Sequence, residues 1–279
     1  MSLKNNALLR SCYNLVGPVV YEARGCKPWS LGYTAYRRRE IARILKRGGF
    51  DLASLPPGYG LRLDERVVEY PWLLSRLPAG AGTMLDAGSA LNHDFLLTHP
   101  VFRSKRLFIA TLAAERDCYW ERNISYVFED MRDSCFRDDY FDSVASISTV
   151  EHVGMDNTML YTQDTAKRES DPGAYLAAVA ELRRVLKPGG TLYLSMPFGK
   201  HVDHGWFQVF DANMIDTLIK SFSPATLREY HYRYLPTGWT ESSRQDSADA
   251  TYFDIHKSKT YAEDFAAGSR AIVCLELIK

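Results

Sequence analysis

Two short stretches of this 279-residue chain each combine histidine with carboxylates that could move a proton. One contains Glu151, His152 and Asp156; the other contains His201, Asp203 and His204. An unperturbed imidazole titrates near neutral pH, so His152 and His204 are the residues best suited to take a proton from a hydroxyl, with Glu151 as a carboxylate alternative. Plainer readings stand beside these. His152 could pack under a loop, and Glu151 could pair with a surface arginine. His201 and His204 could share a helix face, but Pro197 and Gly205 argue for a loop there. Spacing sets no third ligand, so no metal is expected.

A different chemistry is written in the run Asp86-Ala87-Gly88-Ser89-Ala90-Leu91-Asn92. Gly88, Ser89 and Ala90 are small enough for a ligand to approach the backbone, and Asn92 can adopt a left-handed conformation at modest cost. The run follows an apolar strand and opens a helix, which places it at the carboxyl edge of a sheet, where open α/β sheets bind ligands.

Five short strands carry this arrangement: Thr83 to Ala87, Arg106 to Thr111, Ser125 to Glu129, Asp142 to Ser148 and Thr191 to Met196. Amphipathic segments between them predict a parallel α/β sheet with right-handed crossovers. The clearest helix is expected over Pro172 to Lys187, capped by Asp171, with Leu176, Val179, Leu182 and Leu186 on one face. Pro188, Gly189 and Gly190 then turn the chain into the fifth strand. Thr226 to Leu235 and Ala271 to Ile278 add two strands, for a total of seven. Between these two lies a polar and aromatic excursion, Pro236 to Arg270, of a length that usually serves function. Residues 1–82 read as a helical extension, with helices over Tyr36 to Lys46 and Asp64 to Leu77 separated by Pro56, Pro57, Gly58 and Gly60. The triplet Arg37-Arg38-Arg39 reads as a solvated helix face.

Composition narrows the partners. Lys plus Arg number 34 and Asp plus Glu number 34, which leaves no net field to gather nucleic acid or anionic lipid. The 5 cysteines, Cys12, Cys26, Cys118, Cys135 and Cys274, form no close pairs, which fits a reduced, cytoplasmic setting. Arg10 and Asn14 interrupt the apolar run Ala7 to Tyr21, so no membrane span and no signal peptide are expected. Nothing in the sequence speaks to the oligomeric state.

The order Asp86–Asn92, Phe128-Glu129-Asp130-Met131-Arg132-Asp133, Tyr140-Phe141-Asp142-Ser143-Val144, Glu151-His152 and Leu182–Gly190 resembles the class I S-adenosylmethionine-dependent methyltransferases of the small-molecule branch. The resemblance covers roughly Thr83 to Pro197. It implies a Rossmann-like, seven-stranded, mostly parallel sheet with helices on both faces and an antiparallel last strand. Residues 83–279 would then be the catalytic domain, with an acceptor-site insertion around 236–270 and residues 1–82 covering the site. Carried over by position, Asp86, Ala87, Gly88, Ser89 and Asn92 would hold the methionine end of S-adenosylmethionine. Asp130 would accept from the adenine amino group, the amide of Met131 would donate to the ring, and Ser148 would also be a cofactor-binding residue. Two positions depart from the family pattern. Ala90 and Asn92 replace loop glycines, and Thr111 stands where an acid usually meets the ribose, so Thr111 itself or Glu115 is expected to take that role.

A weaker similarity joins Pro28-Trp29-Ser30-Leu31-Gly32-Tyr33, Glu69-Tyr70-Pro71-Trp72, Glu151–Thr158 and His204-Gly205-Trp206-Phe207 to bacterial glycan- and polysaccharide-biosynthesis methyltransferases. It implies O-methylation of a small-molecule or saccharide acceptor, with Trp206, Trp239, Tyr252 and Phe253 as candidate pocket walls. A nicotinamide-dependent dehydrogenase is disfavoured because no G-x-G-x-x-G follows the first strand. Methylation of a flipped base is disfavoured because strand four ends in Ser148-Thr149-Val150-Glu151 and not in a Pro-Pro-aromatic turn. A catalytically inactive scaffold and a methyltransferase for a non-sugar small molecule remain as alternatives.

Overall fold

A computed structural model describes residues 7–47, 54–162, 164–255 and 257–279. Three helices come first: α1 (Ala7–Ala23), α2 (Tyr33–Arg47) and α3 (Arg66–Arg76). Then β1 (Gly82–Ala87), α4 (Asp94–Leu97), β2 (Lys105–Thr111), β3 (Ile124–Phe128) and β4 (Phe141–Ile147) follow in order. After α5 (Thr158–Tyr161) and α6 (Tyr175–Val185) come β5 (Leu186–Pro197) and a small hairpin of β6 (Val202–Asp203) and β7 (Gln208–Val209). The chain ends with α7 (Ala212–Phe222), β8 (Thr226–Leu235), β9 (Gly238–Ser242), α8 (Arg244–Ser247) and β10 (Ala271–Ile278).

The main sheet runs in the order β3-β2-β1-β4-β5-β10-β8-β9. Strands β1 to β5 pair in parallel, and β10 pairs antiparallel with both β5 and β8. This is the expected Rossmann-like sheet with its reversed last strand, and it has 8 strands where the sequence suggested seven. The extra one is β9, which follows β8 through the two-residue turn Pro236-Thr237 and pairs Leu235 with Gly238. Gly238 has φ +108°, a conformation suited to so tight a hairpin turn. A five-residue strand containing one large apolar residue, Trp239, carries little alternation of its own; pairing with β8 makes it a strand.

Alternate side chains of the sheet feed two cores. Met84, Leu107, Ile109, Ala145 and Ile272 pack with Trp72, Leu73 and Val67 of α3 and with Tyr21, Tyr33 and Ile41 of α1 and α2. Leu85, Phe108, Val144, Leu192 and Val273 pack on the other face with Val179 and Leu182 of α6 and Ile215, Leu218 and Phe222 of α7. Helices therefore cover both faces. The described part of the N-terminal extension shares one continuous core with the sheet.

Helix α6 starts three residues later than the sequence suggested. Asp171 spends its carboxylate on the amide of Gly173 at 3.0 Å, which makes a turn and leaves the helix without a side-chain cap. Its buried stripe is Ala178, Val179, Leu182 and Val185, while Leu186 already belongs to β5. The residues on either side of Lys187-Pro188-Gly189-Gly190 pair with β4, and the register slips between Phe141 and Ser143.

Candidate active site

The carboxyl ends of β1 and β4 meet where the strand order reverses, and the turn after β1 sits in that crevice. Gly88 has φ +110°, and a Cβ there would lie 2.2 Å from Cγ2 of Thr149. Only glycine fits, because both the backbone region and the space exclude a side chain. The left-handed residue that follows is Ser89, with φ +60°; Asn92 does not take this conformation and instead donates to the Asp117 carbonyl and accepts from Tyr126. Asp86 is wholly buried, and its Oδ2 accepts from the Leu91 amide at 2.8 Å while Oδ1 has no partner. Burial pushes its carboxyl up to about 7, against the opposing pull of the Leu91 and Ala90 amides.

Two cavities open from this turn. The first, of about 460 Å³, is lined by Gly88, Thr111, Glu129, Asp130, Met131 and Thr149, and is roofed by Tyr161, Lys167, Arg168 and Glu169. The second, of about 420 Å³, is lined by Trp29, Arg37, Glu65, Tyr70, Trp206 and Tyr252 among others. Gly88, Thr149 and His152 line both. Arg132 grips Asp130 through Nη2 at 2.5 Å and reaches Glu169 at 2.6 Å, tying the tip of β3 to the roof. Burial alone would raise the Asp130 carboxyl, but the Arg132 guanidinium holds it below the usual carboxylate range.

His152 stands at the junction. Its Nδ1 lies 2.9 Å from the Trp206 carbonyl, which only a protonated Nδ1 can bond, so the neutral ring leaves its lone pair on Nε2. Burial pulls the imidazole down to about 4, and the Trp206 carbonyl only partly offsets this. Glu151 lies inside the protein at 2% exposure, and its Oε2 has no partner, contrary to the idea of a surface ion pair. Burial keeps its carboxyl well above the ordinary value.

His204 lines neither cavity. It stacks on Phe207 at 4.4 Å and lies 3.7 Å from Asp254, with His201 held on the Val209 carbonyl in the same hairpin. Thr111 and Ser148 line the first and second cavities respectively, and Ser148 donates to Glu69. Ala87 is buried in the core beneath the turn. Trp206 and Tyr252 line the second cavity, whereas Trp239 and Phe253 belong to the core.

Pattern reading missed a polar set contributed by the N-terminal helices. Arg37, read as solvated, bonds the buried Asp64 and lines the second cavity. Arg66 bonds Glu69 at 2.9 Å and the Ile147 carbonyl at 3.1 Å. Glu69 is fully buried and also accepts from Ser148 at 2.5 Å and Ser195 at 2.8 Å. A carboxylate, Glu69, inside a largely apolar helix was the available signal.

Residues 107–194 match the methyltransferase domain family. No curated protein matches the sequence. Among solved structures the fold is similar to geranyl diphosphate C-methyltransferase from Streptomyces coelicolor A3(2), at 13% identity and a TM-score of 0.49, covering 87% of this chain and 98% of that one. It is also similar to a possible histamine N-methyltransferase from Thermotoga maritima, at 12% identity and 0.47, covering 86% and 99%. A third similar structure is 1,6-didemethyltoxoflavin-N1-methyltransferase from Burkholderia thailandensis, at 14% and 0.45, covering 88% and 89%. At these scores the likeness carries no inference about chemistry. The family match falls on β2 to β5 and lies beyond β1 and its turn. The matched segment, residues 107–194, is a methyltransferase domain set in the Rossmann-like sheet, and the chain is an enzyme whose cofactor is S-adenosylmethionine.

Proposed function

We propose that the protein transfers the methyl group of S-adenosylmethionine to a hydroxyl of a small, saccharide-like acceptor in the second cavity. The observation that carries this reading is the junction: Gly88, Thr149 and His152 are shared by a cavity at the β2 and β3 tips and one walled by the N-terminal helices. The first would take the adenosine, with Asp130 and the Met131 amide at the purine and Thr111 at the ribose. Asp86, Gly88 and Ser89 would hold the methionine end, bringing the methyl carbon to the shared wall.

The sulfonium is already an activated leaving group, so the protein has to align the acceptor and remove its proton. His152 is the residue proposed to do so, being neutral at pH 7 with an unprotonated Nε2. Glu151 lies beside it as the alternative base, and His204 supports the wall through Phe207. Helices α1 to α3 act as the cover of the acceptor cavity, and Trp29, Trp206 and Tyr252 supply flat surfaces against which a sugar ring can stack. Calorimetry with S-adenosylmethionine followed by mass spectrometry of sugar and sugar-nucleotide pools tests the reading. The expected results are micromolar-range binding and a gain of one methyl in a saccharide. Absence of binding at millimolar cofactor would leave the inactive scaffold as the better account.

A further inference from the structure

The second cavity carries more carboxyl groups than its arginines satisfy. Asp64, Glu65, Glu69 and Glu151 surround Arg37 and Arg66. The two arginines are already taken: Arg37 by Asp64, and Arg66 by Glu69 and the Ile147 carbonyl. Glu69 is in addition saturated by two hydroxyls. Among the carboxyl groups that line the cavity, Oδ1 of Asp64, in a side chain 3% exposed, and Oε2 of Glu151, in one 2% exposed, are buried without a hydrogen-bond partner. Glu65 joins them and accepts from the Ser269 amide at 3.2 Å. Around these acceptors stand Trp29, Tyr70, Trp206, Phe207 and Tyr252.

Buried acceptors without donors cost free energy until a ligand supplies the donors. We infer that the acceptor molecule carries a protonated amine, which Glu65 and Glu151 bind within the aromatic wall; this rests on the methyl-transfer reading above. An ammonium brings three donors and a positive charge, which matches unpaired carboxylate oxygens and aromatic faces together. A phosphate or carboxylate would keep both carboxyls protonated and gain no ion pair from them, and Arg37 and Arg66 are already engaged by Asp64 and Glu69. The other charged and titratable groups facing the cavity do not compete for the ammonium. His152 is neutral, His93 is pulled down to about 4 mainly by burial, and Tyr70 and Tyr252 are pushed up by burial and stay protonated. Burial, reinforced by Asp64 and Glu69, raises the Glu65 carboxyl to about 8, so seating a cation there drives out a proton.

The test is calorimetry at pH 7.0 on protein saturated with S-adenosylhomocysteine, titrated with glucosamine, ethanolamine, glucose and N-acetylglucosamine. Binding of glucosamine or ethanolamine about tenfold or more tighter than of the two neutral sugars supports the inference. Proton release, seen as a heat that changes with buffer ionisation enthalpy, supports it too. Glucosamine ahead of ethanolamine places the amine on a saccharide; the reverse order places it on a simple amine. Glu65→Gln and Glu151→Gln should each lower amine affinity about tenfold, with Glu65→Gln keeping its S-adenosylhomocysteine affinity. Equal or better binding of the neutral sugars, no amine binding, or a preference that survives both variants overturns the inference. Failure of the wild type to bind S-adenosylhomocysteine would instead overturn the methyl-transfer reading itself.

Discussion

The tasks proposed for His152 and Asp130 are separable, so their variants should fail in different ways. His152→Ala removes a proton acceptor at the junction of the two cavities and no proposed cofactor contact. Turnover should fall about 10²- to 10⁴-fold while S-adenosylmethionine affinity holds. Rate and calorimetric constants measured side by side decide this, and full turnover in the variant would remove His152 from the mechanism. Asp130→Ala should do the reverse, weakening the cofactor by roughly 10- to 100-fold, the worth of a hydrogen bond to a charged group. It also frees Arg132 to bind Glu169 alone, so the fold should keep its melting temperature. These residues could be chosen from sequence because residue types and their order along the strands single them out. Their partners could not: nothing in Asp130-Met131-Arg132 says that the arginine curls back two residues to hold the aspartate.

At the scale of single elements, the turn after β1 is the most constrained. Gly88→Ala must place a methyl 2.2 Å from Thr149 with a backbone that only glycine adopts freely. It should cost ~1–3 kcal/mol and lower cofactor affinity, both visible in thermal melts with and without S-adenosylhomocysteine. A variant with wild-type melting would mean that the loop after β4 yields easily. Helix α6 offers a control away from the site: Leu182 is 2% exposed within the core beneath the sheet. Leu182→Ala should lose ~2–5 kcal/mol in denaturant unfolding without changing cofactor affinity in the folded fraction. Strand and helix identities were legible because a buried parallel sheet needs continuous apolar runs, and those runs recur here with turn residues between them. Element ends were less legible. Pro172 resembles a first-turn proline, yet a local bond from Asp171 to Gly173 delays the helix to Tyr175. The edge strand β9 has almost no pattern of its own.

The whole molecule stores charge-state preferences that show in its stability. Asp86 and Glu65 have folded pKa values raised to about 7 and about 8, so the folded form keeps protons that the unfolded chain gives up near pH 4. Their contribution is fully present below pH 4 and is lost as pH rises through 7 and 8. His152, lowered to about 4, works in the opposite sense between 6.5 and 4, and is silent above 6.5. The unliganded protein should therefore lose stability between pH 6.5 and 8. Asp86→Asn with Glu65→Gln should flatten that stretch in thermal melts taken across the range. A slope unchanged in the double variant would mean that other groups set it.

Sequence alone determined the α/β class and the glycine turn at the first strand tip, because local periodicity and a backbone demand that few residue types meet are written in it; the reversed last strand and the candidate cofactor residues came from the family resemblance. Tertiary structure decided the second cavity, the proposed acceptor side. Arg37 and Arg66 come from helices that precede the sheet in sequence, and Asp64 and Glu65 from the turn before α3; they share a cavity with Glu151, His152 and Tyr252 only because the helices pack on the core shared with the sheet. Whether a charged residue on an amphipathic helix faces water or a buried partner depends on what lies across from it, and that information is not carried by its own segment.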